Sequence, residues 1–583
     1  MSIFVAITIA LIVGKVLCMA YNKMPSDVLA LFIIAVTLVT TTLSTEEALS
    51  CFSSPTVILV GVLSVLVAGL IHSGVLHWIV KNPLGTPSNR KKALLRIMLP
   101  ASIISAFISN IAVVQLFIPV IKIWSKRLKI APSRLLIPLS YASTLGGLCS
   151  LIGNTPNLVV AEFYSNKTGQ QMDFFEPLIP GLFCTAIGII SVVLLHRFIP
   201  IRRSPEENFE SSAEYTVELM VPTDCPHVGE TIEEASLFNV PGGQLIEIVR
   251  FDREVISPVP PDEFILGGDR LVYSGHINDI LELRNTHGMV NATHHVFSVS
   301  EINSNRKLQM ASVDANSPLI GQRMIDIEFE NRNGIVLVAA AREGERIIGS
   351  PREVELRSGD TLLFEGSKLI PENFEGNLNF FDHVALPQNN KKMILSSLIM
   401  VGMVLLTTVG DMKLLNAGFL AAIIMGVTRC FSVEQLQRSI NWKMLMIFAG
   451  SVCLGRAIEV TGIAQSIANG LISVSGTNTI LVLSIIAVTA TLFTEFISNT
   501  TAAAVFTPIA IHTANTLDVN PMAFVISLMI AVSCSFATPI GSDTNTLVYG
   551  PGGYKFFDYM RIGIYMNIIM LIANIFIVSL LYL

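Results

Sequence analysis

The sequence predicts a polytopic α-helical membrane protein. It reads as two inverted repeats, each of five transmembrane helices and one re-entrant hairpin, with two inserted α+β domains on the cytoplasmic side. Three observations predict this. The 583 residues are 51% hydrophobic and only 14% charged, against about 25% charged in a soluble globular domain. A Phe-Ile-Ser-Asn step occurs twice inside apolar regions, at Phe107–Asn110 and Phe496–Asn499, each followed by a Phe and a Pro: Phe117 and Pro119, then Phe506 and Pro508. Between these regions, residues from about 204 to 389 are charged and strand-like, with no spanning run.

The same composition excludes other classes. The net charge of −6 comes without a basic tract, so no nucleic-acid partner is expected. The eight Cys are scattered without a C-x-x-C pair, so neither a zinc site nor a disulfide framework is indicated. Cys149 and Cys534 read as small apolar fillers. No nucleophile–base–acid set suggests an enzyme. The first apolar run, Ile3 to Ala20, has no basic residue before it, and Lys15 and Lys23 are placed at or after its end. A secretory signal peptide carries its charge first, so this run is expected to be a retained spanning helix.

In repeat 1 (residues 1–203) the spans are Ile3–Ala20, Val28–Leu43, Thr56–Val80, Leu135–Val160 and Leu182–Ile199. Lys81, Arg90, Lys91, Lys92 and Arg96 mark a cytoplasmic loop by the positive-inside rule, which puts the N-terminus outside. Residues 94–124 are apolar, broken at Ser109-Asn110 and basic at both ends, so this segment dips in and returns as a re-entrant hairpin. Leu135–Val160 is interrupted at Gly146-Gly147 and at Gly153-Asn154-Thr155-Pro156-Asn157, as expected of a broken helix.

Repeat 2 (390–583) mirrors this arrangement. Its spans are Met393–Thr408, Leu414–Val427, Trp442–Val460, Pro521–Val548 and Ile562–Leu581, with a hairpin at 477–515. No Lys or Arg occurs between Arg456 and Lys555, so the second hairpin enters from outside, and the C-terminus is external. Pro521–Val548 is expected to break at Gly541 to Asn545. Arg456 and Glu459, near i,i+3 spacing, read either as a simple pair or as functional intramembrane charge.

The insert is duplicated too, as domains 204–295 and 296–389. Pro226-His227-Val228-Gly229 matches Pro318-Leu319-Ile320-Gly321. Gly268-Asp269-Arg270-Leu271 matches Gly359-Asp360-Thr361-Leu362, and Arg250 matches Arg342. Leu245–Val249 and Ile335–Ala339 read as strands.

A Ser-Asn step in hydrocarbon is costly unless its polar groups are occupied. A hairpin tip exposes N–H groups at one helix end and C=O groups at the other. The former favour anions and the latter cations such as Na⁺. No Lys or Arg stands at either tip, so an anion is expected on dipoles and hydroxyls with a cation nearby. Ser109, Asn110, Thr155, Ser498, Asn499, Thr500 and Thr544 are the candidate substrate residues. One sodium per repeat is assigned to Ser105, Ser109, Asn110, Gly153 and Asn154, and to Thr494, Ile497, Asn499 and Gly541. Ser105 and Thr494 stand four residues before the tip serines and so share a helix face with them. Glu495, beside the second tip, reads equally as a proton site or as structural.

These residues resemble the divalent anion:sodium symporter family of the wider ion-transporter superfamily. Its mark is Ser-Asn-Thr at two re-entrant tips, intact here as Ser498-Asn499-Thr500 and altered as Ser109-Asn110-Ile111. The tail from Ala537-Thr538-Pro539-Ile540-Gly541 to Tyr549–Tyr554 resembles the branch of sulfate and sulfur-compound transporters, with Ser542 and Asp543 departing from its pattern. Asp543 either repels an anion or adds a cation or proton ligand. The paired inserts resemble TrkA-C domains, the C-terminal part of potassium-conductance regulators. The resemblance implies a homodimer in the inner (plasma) membrane, elevator-type movement of the hairpin-bearing part, and no prosthetic group. It leaves room for a nucleotide second messenger at the inserts, with Arg250 and Arg342 as regulatory candidates.

The expected function is therefore sodium-coupled uptake of a small divalent oxyanion, sulfate first. Di- or tricarboxylate uptake is second and metalloid efflux a distant third. From other classes, a ligand-gated potassium channel needs a T-V-G-Y-G-type filter, which the sequence lacks. A non-transporting nutrient sensor remains a distinct alternative. The insert has no G-x-G-x-x-G loop for a dinucleotide.

Overall fold

The computed structural model describes residues 3–20, 26–74, 87, 89–128, 130–202, 216–240, 243–250, 254–256, 259–275, 289–291, 307–313, 317, 319–323, 335–342, 345–347, 354–366, 378–380, 390–410, 412–431, 440, 442–475 and 478–583. The chain divides into two compact units. The first comprises Met1–Ile201, Val384–Val548 and Phe556–Leu583. The second comprises Arg202–His383 with Tyr549–Lys555.

The first unit is helical. Its early helices are α1 (Ile3–Ala20), α2 (Ser26–Val39), α3 (Thr45–Ser50) and α4 (Pro55–His72). The first hairpin is α5 (Arg90–Ser105) and α6 (Asn110–Leu128), followed by α7 (Ser133–Gly146), α8 (Thr155–Thr168) and α9 (Leu178–Leu194). After the insert come α10 (Asn390–Thr408), α11 (Leu414–Val427), α12 (Trp442–Val460) and α13 (Ile463–Ser475). The second hairpin is α14 (Thr479–Thr494) and α15 (Asn499–Thr516), followed by α16 (Pro521–Ser533), α17 (Asp543–Gly552) and α18 (Phe556–Tyr582).

Local chemistry sets several of these boundaries. Ser44 and Glu47 form a capping box at the start of α3. Pro55 and Pro521 occupy first-turn positions, where a missing N–H costs nothing. The two hairpins open alike: the Asn89 side chain accepts from Lys92 N, and the Asn478 side chain accepts from Leu481 N. Gly169, at φ 71°, ends α8.

Among the described residues, four helical stretches are long and apolar enough to cross a bilayer: Thr45–His72, Leu178–Phe198, Lys391–Thr408 and Phe556–Tyr582. A fifth arises if α12 and α13, bent by 65°, form one broken span. The other apolar helices are shorter. The 14 residues of α2 cover about 21 Å at ~1.5 Å each, less than the ~30 Å hydrocarbon thickness.

Several sequence expectations need correction. The first break spans Gly147 to Asn154, with a 3₁₀ turn at Gly147–Cys149, and Thr155-Pro156-Asn157 already belong to α8. The second break begins at Cys534, and Thr544 and Asn545 lie inside α17. The last helix starts at Phe556 rather than Ile562, and α13 was not expected at all. Lys15 lies inside α1 and is buried. Arg456 and Glu459 do not pair: Arg456 Nη1 donates to Ser50 Oγ at 2.6 Å, and Glu459 meets Lys167 at 2.5 Å. Consecutive turns aimed these two side chains at different helices. Lys23 and Lys81 fall outside the described residues.

The second unit carries two antiparallel sheets. The first has β1 (Thr216–Met220), β2 (Asn239–Val240), β3 (Gly243–Arg250), β4 (Glu254–Ile256), β5 (Arg270–Gly275) and β6 (Val290–Asn291). The second has β7 (Lys307–Val313), β8 (Ile335–Arg342), β9 (Glu345–Arg346), β10 (Thr361–Gly366) and β11 (Leu378–Phe380). The orders are β2-β3-β5-β1-β6, with β4 on β3, and β11-β7-β10-β8-β9. Read from opposite ends, β3-β5-β1-β6 and β8-β10-β7-β11 are one topology. Both copies bulge at the same place, at Ile246 in β3 and Val338 in β8.

Gly229 and Gly321 take positive φ and donate to Ile265 O and Leu356 O, each at 2.8 Å. Each sheet buries its own apolar face, around Leu245, Ile248 and Tyr273 in one and Leu337, Leu362 and Phe364 in the other. The described residues of both copies are strands, turns and irregular chain. The helical part of the α+β expectation is not among them.

Candidate functional site

Each hairpin turn packs its polar groups against the break in the helix that follows it. In the first copy Ser105, the last residue of α5, donates its hydroxyl to Asn110 Oδ1 and lies 2.9 Å from Ser143 Oγ. Asn110, the first residue of α6, donates from Nδ2 to Asn154 Oδ1. Asn154 donates to Thr144 O at 3.2 Å. Ser150 donates to Ala106 O and accepts from Gly153 N at 3.1 Å. The Asn157 amide donates to Gly147 O at 3.3 Å and Ser150 O at 2.9 Å.

The second copy repeats this wiring. Thr494 Oγ1 lies 2.6 Å from Asn499 Oδ1 and 3.1 Å from Val532 O. Thr538 donates to Glu495 O at 2.8 Å and accepts from Gly541 N at 3.0 Å. The Asn545 amide donates to Ser535 O at 3.1 Å and Thr538 O at 3.0 Å. So Ser105, Asn110, Ser150, Gly153 and Asn157 correspond to Thr494, Asn499, Thr538, Gly541 and Asn545. The physical reason is shared. A broken helix strands carbonyls and amides away from water, and neutral side chains satisfy them without adding charge.

Two glycines allow oxygens to converge. A Cβ on Gly153 would stand 2.7 Å from Gly147 O and 2.8 Å from Ser105 O. A Cβ on Gly541 would stand 1.9 Å from Ser535 Oγ and 3.0 Å from both Thr494 O and Thr538 Oγ1. The first cradle offers carbonyl oxygens and the second carbonyl and hydroxyl oxygens, neutral donors of the type a hard monovalent cation prefers. Among the described residues no His/Cys/Asp/Glu cluster suits a transition metal.

The cradles connect across the two halves. Ser140 donates toward Asn545 Oδ1 (2.7 Å) and Thr544 Oγ1 (2.9 Å), and Thr144 Oγ1 lies 3.3 Å from Thr544 Oγ1. Tyr141 donates to Phe536 O at 2.7 Å. Thr544 also meets Ser542 Oγ at 2.9 Å. A continuous polar seam therefore runs from Asn110 through Asn154 and Thr144 to Thr544.

Of the predicted site residues, Ser105, Asn110, Gly153 and Asn154 are brought together, as are Thr494, Asn499 and Gly541. Ser109 caps α6 through its carbonyl, 3.2 Å from Val113 N. Ser498 Oγ lies 2.8 Å from Thr501 Oγ1 and 3.3 Å from Thr500 Oγ1. No hydrogen bond links Ser109 to Ser498 among the described residues. Thr155 is half-buried at the start of α8, Ile497 is buried, and Asp543 is exposed in the first turn of α17. An acidic residue in this first turn is favoured by the positive end of the helix dipole.

Glu495 is buried, and its Oε1 accepts from Ala537 N at 3.0 Å and Asn567 Nδ2 at 2.6 Å. It clamps the second break. Arg250 grips Asp269 with two 3.0 Å bonds and also holds Glu263. Arg342 grips Asp360 at 2.8 and 2.7 Å. Both guanidiniums are thus engaged within their own sheets.

The chain matches the citrate transporter family CitMHS over residues 9–529 and 454–583. The chain belongs to the CitMHS citrate transporter family. This makes it a member of a family of secondary transporters, and transporters are not enzymes. A protein of Synechocystis sp. named an uncharacterized transporter is 29% identical over 99% of this chain and 97% of its own. A Chlamydomonas reinhardtii protein named a putative sulfur deprivation response regulator is 28% identical over 89% of this chain and 92% of its own. Another from that alga, named probable sodium/sulfate cotransporter 3, is 26% identical over 63% of this chain but 42% of its own.

For this CitMHS member, sequence reasoning missed Ser140, Ser143, Thr144, Ser150, Asn157, Ser535, Thr538 and Asn545. Asn157 and Asn545 are the last residues of the two expected breaks. Nothing in the sequence marked α7 as the bridge between halves.

Proposed function

We propose that the chain is a secondary active transporter that couples sodium to the uptake of a small divalent oxyanion, with sulfate as the leading substrate. The doubled wiring of tip and break carries this reading. Two copies of one costly polar arrangement, each with a neutral oxygen cradle beside a helix start, suit one sodium per copy and an anion between them. Asn110, Ser498, Asn499, Thr500 and Thr544 would hold the anion, with Ser109 and Thr155 nearby. Inverted hairpins entering from opposite faces, a homodimer and elevator-type movement complete the mechanism. The two inserted sheets act as TrkA-C-like regulatory domains, facing the cytoplasm. Support for sulfate comes from the name of the algal cotransporter.

Carboxylate transport is the second reading, favoured by the description of the CitMHS family itself. Isotope uptake into proteoliposomes under an imposed sodium gradient, competed separately by sulfate, succinate and citrate, decides between them. Binding of these anions without any accumulation would instead support a sensor on a transporter scaffold.

A further inference from the structure

The site described above contains no basic side chain, yet one is wired to it from a different helix. Lys15, on α1, is 1% exposed. Thr8, Leu11 and Lys15 recur at helical spacing and are all buried, so one stripe of α1 faces inward. Leu11 belongs to an apolar cluster with Leu454 and Ile458 of α12 and Val505 and Ile509 of α15. Lys15 therefore stands on the face of α1 turned toward the second hairpin.

Its Nζ donates to Ser451 Oγ at 3.5 Å, in the middle of α12. Ser451 Oγ lies 3.4 Å from Thr501 Oγ1, which lies 2.8 Å from Ser498 Oγ at the tip. Ser451 and Thr501 are themselves buried. Among the described residues, no carboxylate pairs with Lys15. A buried ammonium is expensive unless a counter-charge compensates it, and this chain of hydroxyls leads to a position where an anion would provide one.

We propose that Lys15 is a positioning residue for the transported anion. When protonated it supplies positive charge to the second tip, and it acts through the hydroxyls of Ser451, Thr501 and Ser498. The hydroxyls orient toward the ammonium at one end and toward the anion at the other, so the charge is felt without direct contact. This deepens the proposed function and rests on the anion binding at the second tip.

The test is sodium-driven uptake of labelled sulfate and labelled succinate by the full chain in proteoliposomes. Lys15→Met is expected to raise KM for the transported anion at least tenfold, with KM for sodium and kcat held within about twofold. Lys15→Arg is expected to restore the anion KM to within about threefold of the parent. Ser451→Ala, which keeps the ammonium but cuts the relay, is expected to raise the anion KM as well, and it decides the matter if Lys15→Met fails to fold.

An unchanged anion KM in a folded Lys15→Met, or in Ser451→Ala where Lys15→Met does not fold, overturns the inference. A loss shared equally between kcat and both KM values in Lys15→Met, unrescued by Arg, marks a packing role and overturns it too. Ser498→Ala separates this from the reading it rests on: if that variant transports normally, the anion does not bind at the tip, and both fall.

Discussion

Substitution of the two cradle glycines by alanine tests the oxygen cradles individually and predicts unequal outcomes. At Gly153 the new Cβ would stand 2.7 Å from Gly147 Cα and O and 2.8 Å from Ser105 O. All three are backbone atoms and cannot rotate away. At Gly541 the nearest atom is Ser535 Oγ at 1.9 Å, a hydroxyl that can turn, followed by Thr494 O and Thr538 Oγ1 at 3.0 Å. Overpacking a tight site costs about 1–3 kcal/mol. At ~1.4 kcal/mol per tenfold, that weakens sodium binding by about 5- to 150-fold. Gly153→Ala should fall at the upper end of this range and Gly541→Ala toward the lower.

The assay is the sodium dependence of uptake in proteoliposomes, read as the sodium concentration at half-maximal rate. A second change, Ser535→Ala, should recover much of the loss in Gly541→Ala. No side-chain change should rescue Gly153→Ala. An unaltered sodium dependence in folded Gly153→Ala would refute the cradle. So would a Gly541→Ala defect that is larger than that of Gly153→Ala and indifferent to Ser535.

Other predictions follow from individual contacts. Asn157→Ala and Asn545→Ala each remove an amide that serves two buried carbonyls. Each should cost about 1–3 kcal/mol, seen as a lowered thermal midpoint in detergent, and wild-type midpoints would contradict it. Ser140→Ala cuts the links to Thr544 and Asn545 and should slow uptake while hairpin-tip accessibility to a thiol probe is retained. Asp269→Asn should loosen the first sheet by about 3 kcal/mol, because the Arg250 and Asp269 side chains are only 12% and 1% exposed. Asp360→Asn should cost less, since Arg342 is 30% exposed and water can replace its partner. Hydrogen exchange of the full chain, read at β3–β5 and at β8–β10, ranks the two.

The sequence exposed what recurs. The paired Phe-Ile-Ser-Asn steps located both hairpin turns, and the matched Gly-Asp steps located equivalent turns in both sheets. In both cases a strict backbone demand selects a narrow set of residues, so the signal survives in one dimension. Gly146-Gly147 marks where the first break begins, but the end of that break and the whole of the second fall earlier than expected, because Thr155-Pro156 and Thr544-Asn545 look like loop formers. Thr155 and Pro156 instead open a helix, where proline is tolerated, and Asn545 serves its break from inside a helix. The Arg456–Glu459 pairing failed for a different reason. Spacing along one helix says nothing about the charge a neighbouring helix presents, and Ser50 and Lys167 were invisible as partners.

Lys15 is the clearest case of tertiary context overriding a local reading. As a charge near the end of an apolar run it looks like an interfacial anchor, and only packing against α12 reveals it as buried. The role of Ser140 and Thr144 was hidden likewise, since single hydroxyls in an apolar helix are common and bond most often to their own backbone.

The most direct test of the account is accumulation of labelled sulfate and succinate in proteoliposomes with an inward sodium gradient, comparing the parent chain with Asn110→Ala and Asn499→Ala. The parent is expected to accumulate one of these anions in a sodium-dependent manner, and both folded variants are expected to lose at least tenfold in rate. Accumulation that needs no sodium, or that persists when either asparagine is removed, would contradict it.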